Sequence, residues 1–124
     1  MSGFRDLNVW KESKKLAIKV YQITQKDAFK KDYSLRDQIR KAGVSIPSNI
    51  SEGDERGSNR EAVRFFYIAK GSLAELQTQL EIAYEIGYLN KEELKELLDQ
   101  CENIGKMLGS LIKSRKKNNK PKDS

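Results

Sequence analysis

The stretch Asn59–Gly87, NREAVRFFYIAKGSLAELQTQLEIAYEIG, decides the architecture. Ala62, Phe66, Ala69, Leu73, Leu76, Leu80 and Ala83 recur in alternating steps of four and three, and Gly87 continues the series. This spacing keeps one apolar seam along a helix of about seven turns. Ser58 followed by Glu61 reads as a capping box that opens the helix, and Gly87 suits its C-terminal stop. A helix with such a seam must bury it against other helices, which makes the chain an all-α bundle.

The same punctuation extends in both directions. Downstream, Asn90 with Glu93 caps a helix whose seam reads Leu94, Leu98, Cys101, Gly105, Leu108 and Ile112. Upstream, Asp6 is the candidate N-cap of a helix over residues 7–25. That helix carries two adjoining apolar stripes, Val9, Leu16, Val20, Ile23 and Trp10, Ala17, Tyr21, Thr24, and both need covering. After the lysine-rich connection KDAFKKDY, Ser34 with Asp37 reads as the cap of the remaining helix, with Leu35, Ile39, Ala42 and Ile46 on its seam. Short connections favour antiparallel neighbours, so the expected fold is an up-down-up-down four-helix bundle over residues 1–113.

One run departs from core-helix composition. RKAGVSIPSNISEGDERGSNR, Arg40–Arg60, places a proline, four serines and two asparagines between basic ends. Pro47 removes a backbone donor and crowds the preceding turn, at roughly 3 kcal/mol in a helix interior. The next step of the seam lands on Asn49, so a polar group is expected in the core or an interface. Ser45, Pro47, Ser48, Asn49, Glu52 and Gly53 therefore read either as a kinked packing joint within the bundle or as a subunit contact. Arg36, Arg40 and Lys41 precede the joint; Arg56, Arg60 and Arg64 follow it. If the GDERG turn brings the two groups to one end, they form a cationic patch. Glu52, Asp54, Glu55 and Glu61 could neutralise it instead.

Composition narrows the function classes. With 124 residues, one cysteine and no histidine, the chain offers one domain, no disulfide framework and no Cys/His zinc site. Neither GxGxxG nor GxxxxGK occurs, and the usual nucleophile–histidine pairs are unavailable. The expectations are no catalytic residues, no cofactor, no metal and no small-molecule substrate. Cys101 lies on a seam and reads as a buried structural thiol. No apolar run reaches signal-peptide or membrane-span length, so a cytoplasmic, membrane-free protein is expected.

The net charge of +6 is unevenly placed. Residues 1–64 are basic and residues 65–112 acidic, while Lys113 to Ser124 hold six cations against one acid. Residues 114–124, SRKKNNKPKDS, read as a disordered basic tail. It is either a solvated terminus or a phosphate-binding arm carrying Arg115, Lys116 and Lys117.

Three segments, FRDLNVWKESKKLAIKVYQIT, YSLRDQIRKAGVSIPSNISEGDERGSNREAVRFFYIAKGSLAELQTQL and EIGYLNKEELKELL, together resemble a known family. It is the four-helix bundle family named for proteins encoded in intervening sequences of bacterial 23S ribosomal RNA genes. VSIPSNISEG at Val44–Gly53 and RFFYIAKGSLAEL at Arg64–Leu76 carry the resemblance most specifically. The chain departs from the usual pattern at Lys41, where arginine is usual, and at Gly43 and Ser51, where alanine is usual. It also lacks a proline after Phe29. The resemblance implies an antiparallel bundle that assembles as a homopentamer and associates with RNA or a ribonucleoprotein, with no active-site residues to carry over. A related bundle, the accessory variability protein of diversity-generating retroelements, implies the alternative of an oligomeric scaffold that partners a reverse transcriptase. For RNA, the candidate phosphate-positioning residues are Arg36, Arg40, Lys41, Arg56, Arg60 and Arg64, assisted by the tail.

Overall fold

A computed structural model describes residues 3–118. A 3-10 turn at Phe4–Asp6 leads into α1 (Asn8–Ile23). The single-turn α2 (Asp27–Lys30) follows, then the long helices α3 (Tyr33–Asp54), α4 (Asn59–Glu85) and α5 (Lys91–Asn118). No strand occurs among the described residues. The four long helices form a bundle with one shared core: α3 packs on α1 and α4, and α5 packs on α4 and α1. Leu16, Val20, Ile39, Ile46, Ile50, Phe66, Leu76, Leu80, Leu97, Ile104 and Leu108 are fully enclosed. Each such aliphatic side chain contributes roughly 1.5–3 kcal/mol through burial.

The α4 seam is as expected: Ala62, Phe66, Ala69, Leu73, Leu76, Leu80 and Ala83 are all buried. Ser58 Oγ accepts the Glu61 N–H at 3.2 Å. At the other end Gly87 has φ +88°, Gly87 N–H bonds the Tyr84 carbonyl, and Tyr88 N–H reaches back to the Ala83 carbonyl. That is a Schellman stop, and its left-handed residue favours glycine. The seam of α5 keeps Cys101, Leu108 and Ile112 buried as expected, but Leu97 and Ile104 take the core positions expected of Leu98 and Gly105, which are half-buried, as is Leu94.

Three helix starts show where backbone and side chain compete. Asp6 does not cap α1. The 3-10 turn engages its backbone N–H, and Leu7 takes the cap position without a side-chain bond. Asp32, not Ser34, caps α3: one carboxylate oxygen accepts Leu35 N–H at 3.1 Å and the other accepts the Tyr88 hydroxyl at 3.0 Å. Asn90 and Glu93 form the full reciprocal box at α5, at 2.9 and 2.8 Å. Burial works against the Glu93 charge, yet the Lys26 ammonium at 2.7 Å and the Asn90 N–H hold its pKa below the usual glutamate value.

The lysine-rich connection is less solvated than its composition suggests. Phe29 of α2 is fully buried and meets Tyr88 edge-on at 5.1 Å, closing that end of the core. A lone apolar residue among lysines has no period to reveal it. At the C-terminus α5 continues through Asn118, so residues 114–118 are helical where a disordered tail was expected; 119–124 lie outside the described residues.

Two glycines of α3 differ in what surrounds them. A Cβ at Gly53 would lie 2.9 Å from Phe65 Cβ and Phe66 Cε1 and 3.0 Å from the Ala62 carbonyl oxygen, whereas one at Gly43 would make ordinary contacts of 3.6–3.7 Å with Val20 and Ala17. Gly53→Ala should therefore lower unfolding stability by about 1–3 kcal/mol, and Gly43→Ala should raise it by about 0.4–1 kcal/mol; urea unfolding checks both. For Glu93, whose folded pKa is depressed, the stabilisation is present above the ordinary glutamate range and lost as pH falls through the lowered value. E93Q should flatten that acid limb of the stability profile measured by thermal unfolding.

Candidate nucleic-acid interface

The polar joint is a bridge between α3 and α4. Asn49 Nδ2 donates to the Ser45 carbonyl at 2.8 Å and to Ser45 Oγ at 2.9 Å, and Ser45 Oγ lies 2.8 Å from Ser72 Oγ. Asn49 is half-buried, and the core position expected for it belongs to Ile50, which is fully enclosed. The apolar seam steps by four from Ile46 to Ile50 and passes Asn49 on its flank. The helix runs unbroken through Pro47, whose ring is buried. Ser48 is exposed and its carbonyl accepts the Ser51 hydroxyl at 2.9 Å; Glu52 pairs with Arg56 at 3.3 Å.

The basic residues do not converge on one end. Arg36 and Arg40 sit in the first two turns of α3, and Asp54 closes the same continuous helix, about 27 Å along the axis from Arg36 at 1.5 Å per residue. Arg36 bonds Asp37 at 3.1 Å and lies over the Tyr33 ring. Arg40 donates from Nε to Thr24 Oγ1 at 2.8 Å and covers Tyr21, so both guanidinium groups are used in packing. Lys41 beside them is exposed.

The other group gathers where the α3–α4 turn meets the end of α5. Arg115 binds Asp54 at 2.6 Å and faces Phe66, which fastens α5 to the turn. This pair is largely shielded from water, unlike the ordinary surface pairs of the chain. Lys116 donates to the Tyr67 hydroxyl at 2.8 Å, and this bond draws the Tyr67 pKa below its usual value. Arg56 lies over Phe65. Arg60, Arg64 and Lys117 are exposed at the same end, and none has an ion-pair partner among the described residues. Arg115 is thus a structural anchor, not part of a free arm.

A second surface was missed by reading charges alone. The stripe Trp10, Ala17, Tyr21, Thr24 of α1 is only half covered: Ala17 and Thr24 are buried, Trp10 is half-buried and Tyr21 is exposed. With Ile18, Val44 and Pro47, the uncovered part lines a groove of about 360 Å³ between α1 and α3. The doubled stripe was the sequence signal for it.

Cys101 is fully enclosed, and burial pushes its thiol pKa up to about 12. No group of three or more metal-ligating side chains occurs among the described residues. No helix of the described chain is long and apolar enough to cross a membrane.

Core, caps and termini together define an all-α helical bundle with a basic end and an apolar side groove. The chain belongs to the 23S rRNA-intervening sequence protein family, whose model matches residues 5–110. The chain is similar to a protein of unknown function from the S23 ribosomal protein family of Bacteroides thetaiotaomicron. The crystal structure of that protein aligns with a TM-score of 0.78 at 25% identity, over 85% of this chain and 98% of that one. None of the curated proteins matches the chain.

Because its thiolate is disfavoured and enclosed, Cys101 should resist a thiol-reactive chromogen in the native protein and react at the rate of a free cysteine once urea unfolds the chain. Absorbance stopped at intervals measures both rates.

Proposed function

We propose that the protein is a non-catalytic, cytoplasmic RNA- or ribonucleoprotein-binding module built from an antiparallel up-down-up-down bundle that assembles as a homopentamer. The antiparallel course is supported by the pairing of α3 with α4 at Gly53 and Phe66 near the turn and at Ser45 and Ser72 farther along. RNA as the ligand is supported by the family's description as 23S rRNA-intervening sequence proteins. The observation that carries the reading is the set of exposed cations, Arg60, Arg64 and Lys117, beside Arg56 and Lys116 at one end of the bundle. Phosphates attract such groups without regard to base sequence. Five copies would repeat the cluster around an axis and raise avidity without a new contact.

Arg36, Arg40 and Arg115 contribute less directly, since each already serves an aromatic ring and a polar partner within the chain. A protein-docking role, such as scaffolding a reverse transcriptase, is the second reading, and the apolar groove between α1 and α3 favours it.

Fluorescence anisotropy with labelled structured RNA tests the first reading. R60A/R64A should weaken binding across RNA sequences alike, while R36A/R40A should change it little once folding is matched. If about three phosphates are neutralised per protomer, affinity should fall on the order of fortyfold from ~50 to ~200 mM salt. Salt-independent binding, or binding unaffected by R60A/R64A, would refute this site.

A further inference from the structure

We infer that the ligand of the basic end is single-stranded RNA, with an unpaired base stacked on the ring of Tyr67 and the flanking phosphates held by cations of α4 and α5. The inference rests on the RNA reading above and names the form of RNA that this site takes. Cations alone would suit a duplex as well as a single strand. An open aromatic ring among them favours unpaired bases, whose π-faces are free to stack on it.

Tyr67 differs from the other exposed tyrosines. Tyr21, Tyr33 and Tyr67 are 43%, 65% and 45% exposed. The first two rings are already occupied: the Arg40 guanidinium lies 4.6 Å from the centre of Tyr21, and that of Arg36 lies 4.9 Å from the centre of Tyr33. Among the described residues, Tyr67 has neither a guanidinium nor a second ring against it. Its cationic neighbour is the Lys116 ammonium, 2.8 Å from the hydroxyl oxygen and 5.0 Å from the ring centre. Those two distances place the ammonium beyond the oxygen, off the end of the ring. Lys116 therefore holds the ring by its edge and does not stack on its face.

The surroundings of the ring suit a strand. Arg64 lies one turn before Tyr67 on α4, Arg60 one turn before that, and Gly71 one turn after, all on one face. A Cβ at Gly71 would meet nothing within 4 Å, and Ala74 beyond it is exposed, so the helix leaves open ground next to the ring. The Lys116 hydrogen bond first, and then the charges of Lys116 and Lys70, draw the Tyr67 phenol below its usual pKa, so both ammonium groups act at this ring. Arg60 and Lys70 are about 15 Å apart along the axis at 1.5 Å per residue, the length of a short run of nucleotides. Acids are absent from α4 between Glu61 and Glu75 and from α5 after Glu102 through Asn118, and Asp54 at the same corner is taken by Arg115. Phosphates on either side of a stacked base thus meet cations without a competing carboxylate.

Fluorescence anisotropy of the full chain with three labelled ligands of equal length tests the stacking: oligouridine, the same strand annealed to its complement, and an abasic ribose-phosphate strand that keeps the charges without the bases. R60A/R64A should weaken binding of all three. Y67A should lose roughly tenfold on oligouridine, change little on the duplex and the abasic strand, and keep the wild-type salt dependence. Y67F, which retains the ring and loses the Lys116 bond, should stay close to wild type on oligouridine. Circular dichroism checks helicity; if Y67A loses it, Y67L takes its place, since leucine keeps apolar bulk without a π-face. Oligouridine binding that R60A/R64A weakens and Y67A leaves unchanged would overturn the stacking while the basic site stands. Equal losses for Y67A on oligouridine and the abasic strand, or equal losses for Y67A and Y67F, would also overturn it, by assigning Tyr67 to packing or to the Lys116 bond. Failure of every ligand to bind at low salt would overturn the stacking and the RNA reading together.

Discussion

The close approach of α3 to α4 at Gly53 governs the end of the molecule where the exposed cations collect. With hydrogen in place of a side chain, the α3 backbone sits against Phe65, Phe66 and the Ala62 carbonyl, and nothing larger fits without a shift. That contact brings Asp54 to the position where Arg115 can bind it, and Arg56 over Phe65. It thereby joins the turn, the start of α4 and the end of α5 into one corner. Interiors are packed too densely for such a corner to relax smoothly, so its geometry is held by sterics before any charge is considered.

The arginines illustrate how differently one residue type can be used. Arg36, Arg40, Arg56 and Arg115 each lie over an aromatic ring and each has an oxygen acceptor or carboxylate beside it. A planar guanidinium does both at once, stacking by its face and donating by its edge. These four help hold the bundle together. Arg60 and Arg64, one helical turn apart at the start of α4, have no such partner among the described residues and keep their charge toward solvent. The distinction between structural and available cations therefore matters more for function than the total charge.

The polar joint has a similar lesson. Its asparagine and serines satisfy one another across α3 and α4, so the joint costs little desolvation even though it interrupts the apolar run. Pro47 contributes by packing, on the flank that faces α1. The exposed groove beside it and the isoleucines of α4 remain as apolar surface that the single bundle does not cover.

The α4 seam, the Ser58 and Asn90 caps, the Gly87 stop and the all-α class were legible in the sequence, because periodicity and capping are local properties of helical backbone. The doubled stripe of α1 also signalled more apolar surface than one bundle could bury. The burial of Phe29, the capping of α3 by Asp32, the preference for Ile50 over Asn49, and the helical state of residues 114–118 were decided by tertiary structure. Each depends on a partner distant in the chain: Tyr88 for Phe29 and Asp32, the shared core for Ile50, and Asp54 for Arg115. The separation of Arg36 and Arg40 from the α3–α4 turn was the clearest case. Spacing in sequence placed both groups beside the joint, but only an unbroken helix through Pro47 fixed them at opposite ends.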